Sequence, residues 1–174
     1  MLARAIARAD RFDHTIQVRN WIESGAAALV TVIFGMMAWH APNALSIVGN
    51  ALISASGVWI AFYMLRYGRA VSDPPPDRSL ADYGQALLRK YDHQIRLLRN
   101  VKYWYLLPPY VGLLLTSAGN AMARAAEGRP AWPELIAVPV YSAVFAMVWW
   151  LNEVYGVRHV SQARARLREE MNML

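Results

Sequence analysis

The chain has 174 residues, enough for one compact domain, and 56% of them are apolar while only 17% are charged. A soluble domain carries about 25% charged residues; here the apolar residues gather into four stretches separated by strongly charged ones, the pattern of a multi-span membrane protein. There is no cysteine, which excludes disulfides, thiolate nucleophiles, zinc–thiolate sites and iron–sulfur clusters.

Residues 1–20 alternate arginine and alanine around Leu2, Ile6, Phe12 and Ile16. That spacing predicts an amphipathic helix. The segment has no central apolar run and no small-residue cleavage site, so no secretory signal peptide is expected. A first hairpin of spans is predicted over residues 21–67, as helices at 21–39 and 45–67 joined by a short turn. Residues 68–102 form a predicted linker, with the stiff run Asp73-Pro74-Pro75-Pro76-Asp77 followed by a second amphipathic helix. A second hairpin is predicted over residues 103–157, as helices at 103–122 and 135–157. Pro108 and Pro109 suit a helix's first turn, so the third span is expected to begin effectively at Pro108. Residues 158–174 continue as a weaker amphipathic helix through Val160, Ala163, Leu167 and Met171. Each span has about the 20 residues needed to cross ~30 Å of hydrocarbon. The fold class is therefore all-α, a four-helix transmembrane protein of two hairpins.

The 18 Lys and Arg residues fall unevenly. Four precede the first span, eight lie between the second and third, and four follow the fourth. Only Arg124 and Arg129 lie between the third and fourth. The positive-inside rule assigns both termini and the central linker to the cytoplasm of a bacterial inner membrane. Trp21, Trp39, Tyr103, Trp104, Trp132 and Tyr155 fall near span ends, where amphipathic rings anchor at headgroup level.

The order of these segments, with Asn20-Trp21-Ile22-Glu23 opening the first span and Tyr103-Trp104-Tyr105-Leu106-Leu107-Pro108-Pro109 the third, and Trp149-Trp150-Leu151-Asn152 near the end of the fourth, resembles a family of uncharacterised bacterial inner-membrane proteins often encoded beside sigma factors of the extracytoplasmic-function type. The resemblance covers most of the chain. It implies a bacterial inner-membrane setting, and because that family has no established activity it supplies no functional residues.

Read for chemistry, the sequence contains no glycine-rich phosphate loop, no Ser-His-Asp set and no His-Glu-x-x-His, and an enzyme is not expected. No cofactor of its own is expected. Contact with lipid or with a pigment held by a partner is the exception allowed for, and His40, beside Trp39, is the one candidate ligand. No metal site is expected. Glu23 and Glu153 sit near span ends, where Arg19 and Arg158 can pair with them. Asn50, Ser54, Gly57 and Ala61 make a small or polar row on the second span, and Ala28, Thr31, Gly35 and Ala38 a matching row on the first; such rows let helices approach closely. Leu80, Tyr83, Leu87, Tyr91, Ile95 and Leu98 form an apolar stripe read as a partner-docking face; the amphipathic helices could instead lie in the headgroup plane or pack together below the bundle.

The net charge of +6 reflects basic residues that flank spans, so anionic lipid explains it and nucleic acid is not expected. The partners expected are membrane lipids and other integral subunits, with no small-molecule substrate. The expected function is a non-enzymatic accessory subunit of a larger inner-membrane complex, photosynthetic or respiratory assemblies being the settings to look in first. A membrane-anchored regulator of a cytoplasmic factor, such as a sigma factor, is the alternative, and a small transporter the third.

Overall fold

The computed structural model describes the backbone of residues 2–67 and 80–172, and side chains within these at 17–66, at 82 and at 84–172. The proline spacer at 73–77, the side chains of the N-terminal stripe, and those of Leu80 and Tyr83 in the predicted docking stripe lie outside the described residues.

The described chain is all-helical and forms four long rods. The first is α1, Leu2–Trp39, and the second α2, Ala44–Tyr67. The third joins α3, Leu80–Val101, through a π-helical segment at Lys102–Leu106 to α4, Leu107–Ala126. The fourth joins α5, Trp132–Leu151, through a π-helical segment at Asn152–Val157 to α6, Arg158–Asn172. Among the described residues, three helices are long and apolar enough to cross a membrane: Gln17–Trp39, Ala44–Arg66 and the rod that begins at Trp132.

The sequence suggests a separate N-terminal helix ending at residue 20, but α1 is one helix of 38 residues. At 1.5 Å per residue it is about 57 Å long, nearly twice the ~30 Å of a hydrocarbon core. Nothing between Asn20 and Trp21 interrupts it, because Glu23, Ser24 and Gly25 are tolerated in a helix that already has its hydrogen bonds.

The same continuity carries the third rod through Leu107-Pro108-Pro109. Proline has no N–H, so Pro108 and Pro109 leave the carbonyls of Trp104 and Tyr105 without their usual donors. The backbone absorbs this one turn earlier, where the Leu107 N–H reaches the carbonyl of Lys102. The prolines then occupy the first turn of α4, as expected.

α4 is the least apolar of the predicted spans because it is central. Gly112, Thr116, Ser117 and Gly119 are all buried on it; Thr116 and Asn120 bond to α2, and Tyr110 and Ser117 to α5. The rods stand side by side in the order α1, α2, α4, α5, each antiparallel to its neighbour. α2 packs closely on both α1 and α4, whereas α5 rests on α4. The hairpins at residues 40–43 and 127–131 therefore lie at one end, and Arg19, Arg66, Lys102 and Arg158 toward the other.

Two seams hold the row. Between α1 and α2, Ser54 Oγ donates to the Thr31 carbonyl at 2.9 Å, and Thr31 Oγ1 donates to the Ser54 carbonyl at 3.3 Å. Gly57 sits over the Ala27 carbonyl, which a Cβ would approach to 2.7 Å, and Gly35 lies 3.4 Å from Ser54 Oγ by the same measure. The two small-residue rows thus meet, with two corrections. Ala27 is buried and Ala28 exposed, a shift of one position that carries the contact about 100° around the helix. Asn50 belongs to the other seam, where its Oδ1 accepts from Thr116 Oγ1 of α4 at 3.3 Å. Ala61 borders the cluster of Ala27, Ile60 and Met64.

Candidate functional site

The site lies at the basic end, where all four rods converge beside the two π-helical segments. Arg19 and Glu23 are one helical turn apart on α1, so they share a face; their Nε and Oε1 atoms are 3.7 Å apart. From α3, Gln94 presents Oε1 to Arg19 Nη2 at 3.4 Å, and the Gln94 side chain is only 2% exposed. Tyr63 and Met64 of α2 and Leu97, Leu98 and Val101 of α3 supply two further walls. Trp104 and Tyr105 come from the first π-helical segment, Val148 from α5 and Asn152 from the second segment. Together they enclose a chamber of about 130 Å³.

π-helical turns recur at functional sites because the extra residue re-aims side chains. Here the first one delivers Trp104 onto Tyr63, with ring centroids 4.3 Å apart, and sets Tyr105 edge-on to Trp104. The second aims Asn152 at α3, where its Nδ2 donates to the Leu98 carbonyl at 2.7 Å. This bond ties the two composite rods together at the level of the chamber.

The chamber is lined mainly by apolar surface, with Arg19, Glu23 and Asn152 as its charged or amide side chains. Arg19 Nε, Glu23 Oε2, Ser24 Oγ and Gln94 Nε2 are all buried without a hydrogen-bond partner. Buried polar groups are nearly always satisfied, and an unmade bond costs about 1–3 kcal/mol per group. Of these four residues, Arg19 and Glu23 line the chamber.

Tyr105 and Val148 also line a second, larger space, an apolar cleft of about 320 Å³ between α1, α2, α4 and α5. Its walls include Val30, Phe34, Ile53, Leu113, Val144 and Phe145, and Tyr105 is the one lining residue with a polar side-chain group. The cleft exists because α1 and α5 flank the row without packing on each other. The site as a whole is thus a small chamber holding the Arg19–Glu23 pair beside a larger apolar cleft, with Tyr105 and Val148 common to the linings of both.

The other sequence-predicted positions fall elsewhere. The Arg19–Glu23 pair forms, but Glu153 is exposed and makes no ion pair with Arg158. His40 Nδ1 donates to the Met36 carbonyl at 2.9 Å and so closes the end of its own helix. In the predicted docking stripe, Leu87 and Tyr91 are buried against Val160, Ala163 and Leu167 of α6, and Arg164 lies against Asp92 alongside. Ile95 and Leu98 are half-buried at its edge. Among the described residues of the stripe, Leu87 and Tyr91 are covered by α6 within the same chain.

Sequence reasoning missed Gln94 and Asn152. Gln94 lies on the buried side of α3 with Leu87, Lys90 and Tyr91, and one polar side chain between apolar positions gave the stripe no visible gap.

Comparisons with family models, with curated proteins and with solved structures find no match to this chain.

Proposed function

We propose that the chain is an integral protein of a bacterial inner membrane and serves as a non-enzymatic accessory subunit of a larger membrane assembly. Its two predicted hairpins cross the bilayer, with the basic end of the row on the cytoplasmic side. Sixteen of the 18 Lys and Arg residues support that orientation through the positive-inside rule. The two at the hairpin end are each paired locally, Arg124 Nε with Glu134 Oε1 at 3.4 Å and Arg129 Nη1 with Glu127 Oε2 at 3.1 Å.

The observation that carries the subunit reading is α5. No residue of its length is buried within the chain, although it exposes Leu135, Ile136, Val140, Met147, Trp149 and Trp150. Between helices in lipid the hydrophobic effect gives no net attraction, so association rests on close packing and polar contacts. α1, α2 and α4 have glycine-lined seams of that kind. α5 is held to α4 by thinner links, Tyr141 to Ser117 at 3.1 Å and Tyr110 to Ser142 at 2.9 Å. A flank of this kind suits helices of other subunits, with Trp and Met of the types enriched at protein contacts. The packing of Leu87 and Tyr91 on α6 supports the subunit reading over the regulator.

The test is extraction at native abundance in mild detergent, followed by sizing and mass spectrometry. Migration within a large complex is expected, and energy-transducing assemblies are the first in which to look. A lone species of 19.6 kDa would overturn the reading, and recovery with a sigma factor would replace it with the regulator.

A further inference from the structure

The cations sort by what they face. Arg19, Arg124, Arg129 and Arg164 each lie against a carboxylate of the same chain. Arg96, Arg99, Lys102 and Arg158 are exposed and have no carboxylate partner among the described residues, and the same holds for Arg89, Arg166 and Arg168. Lys102 stands instead over the ring of Tyr103, with Nζ 5.0 Å from its centroid.

The heights of these cations follow from the packing of α6 on α3. Gly84 meets Met171, Asp92 lies against Arg164, and Asn152 bonds to Leu98, so the two helices run antiparallel and Arg158 is level with Arg96. Arg96, Arg99 and Lys102 recur every third residue, which makes each a neighbour of the next along the helix surface. With Arg158 they form a collar about 9 Å deep at 1.5 Å per residue. Exposed Tyr103 and Tyr155 stand at the same height, and so does exposed Trp21, two residues beyond the Arg19–Gln94 bond. Rings of this kind mark the headgroup layer. Arg89, Arg166 and Arg168 lie roughly 10–15 Å farther out. The field of an anionic surface decays over about 8–10 Å at physiological salt, so it acts on the collar and fades before the outer three.

We infer that Arg96, Arg99, Lys102 and Arg158 form a collar that binds acidic phospholipids of the leaflet in which they stand. Four cations there face one exposed carboxylate, Glu153, so the collar keeps a positive excess for headgroup phosphates. The planar fork of arginine matches a phosphate's oxygens. Phosphatidylethanolamine carries an ammonium beside its phosphate and neutralises nothing; phosphatidylglycerol brings a net negative charge. Each cation near an anionic surface strengthens binding by roughly five-fold, so the collar selects between these two lipids. The inference rests on the reading that the rods span a membrane and needs no partner complex.

The experiment uses the full chain, purified in detergent and exchanged into nanodiscs containing equal parts of phosphatidylethanolamine and phosphatidylglycerol. After re-extraction, retained lipid is measured by native mass spectrometry. Enrichment of phosphatidylglycerol by about ten-fold is expected from the charge of the collar. The triple variant Arg96→Gln/Arg99→Gln/Arg158→Gln should bring retention close to the bulk ratio. The triple variant Arg89→Gln/Arg166→Gln/Arg168→Gln loses the same charge farther from the membrane and should keep the enrichment. Inorganic phosphate at millimolar concentration should not displace the lipid, which separates a headgroup collar from a free-anion site. Wild-type retention in the bulk ratio, equal loss of enrichment in the two triple variants, or displacement by phosphate would each overturn the proposal. If the first triple variant fails to fold, Arg99→Gln/Arg158→Gln decides it by the same comparison. A wild-type chain that does not enter nanodiscs would overturn the membrane-spanning reading as well, whereas entry with unselective retention overturns the collar alone.

Discussion

Gly49 of α2 and Gly112 of α4 lie so close that a Cβ on either would meet the carbonyl oxygen of the other, at 2.7 Å and 2.8 Å respectively. No other pair of residue types permits this approach. It brings the α2 and α4 backbones together at the centre of the row and places Thr116 within reach of Asn50, which is only 3% exposed.

Alanine at either glycine should therefore drive the two helices apart. Gly112→Ala is expected to destabilise the protein by about 1–3 kcal/mol, the usual cost of overpacking a tight interior. Gly25→Ala is the control, because a Cβ there meets nothing within 4 Å; it should leave stability unchanged or raise it by about 0.5–1 kcal/mol through helix propensity. Thermal unfolding of both variants in one detergent checks the contrast, and equal effects would contradict it.

Asn43 does two things at the hairpin end. Its Oδ1 accepts the Ser46 N–H at 2.9 Å, capping α2, while its Nδ2 donates to the Gly119 carbonyl of α4 at 2.6 Å. Asn43→Ala should cost about 1 kcal/mol for the cap and roughly 0.6 kcal/mol for the interhelical bond. Asn43→Asp keeps the cap and loses the donor, so its unfolding midpoint should fall between those of wild type and Asn43→Ala.

Leu87 and Tyr91 should behave as interior residues. Leu87→Glu with Tyr91→Glu places two carboxylates against Val160, Ala163 and Leu167, and burying unpaired charge is costly. The expected result is release of α6, read as faster proteolysis after Arg164, Arg166 and Arg168 in detergent, with the apolar rods still protected. Unchanged cleavage would place the α3–α6 contact elsewhere.

The apolar rods were legible because their residues answer to one environment along their length. The end of the first span at Trp39 was readable to the residue, and the second span to within one. What covers a helix was not readable. The period of Leu87 and Tyr91 announces an apolar face without saying whether a neighbour in the same chain or another molecule lies on it. Small offsets also escape a row of alanines: Ala27 and Ala28 are chemically identical, and the carbonyl of Ala27 sits under Gly57 only because of how α2 is rotated. The π-helical segments were hidden for a related reason. Proline announced a disturbance near Pro108, but its effect is displaced to Lys102–Leu106, and Asn152 has no proline to announce it at all. Of the candidate site, the Arg19–Glu23 pair could be found from its spacing, whereas Gln94, Tyr105 and Val148 converge only through the third dimension.

The central claim is that the rods cross a membrane with the basic end of the row in the cytoplasm. The absence of cysteine makes it directly testable through the single variants Gln17→Cys, Glu127→Cys and Gln162→Cys, treated with a membrane-impermeant maleimide on intact spheroplasts. Labelling of Glu127→Cys alone is expected, with the other two reacting only after the membrane is opened. Reaction of Gln17→Cys or Gln162→Cys on intact spheroplasts, or equal labelling of all three, would contradict the account.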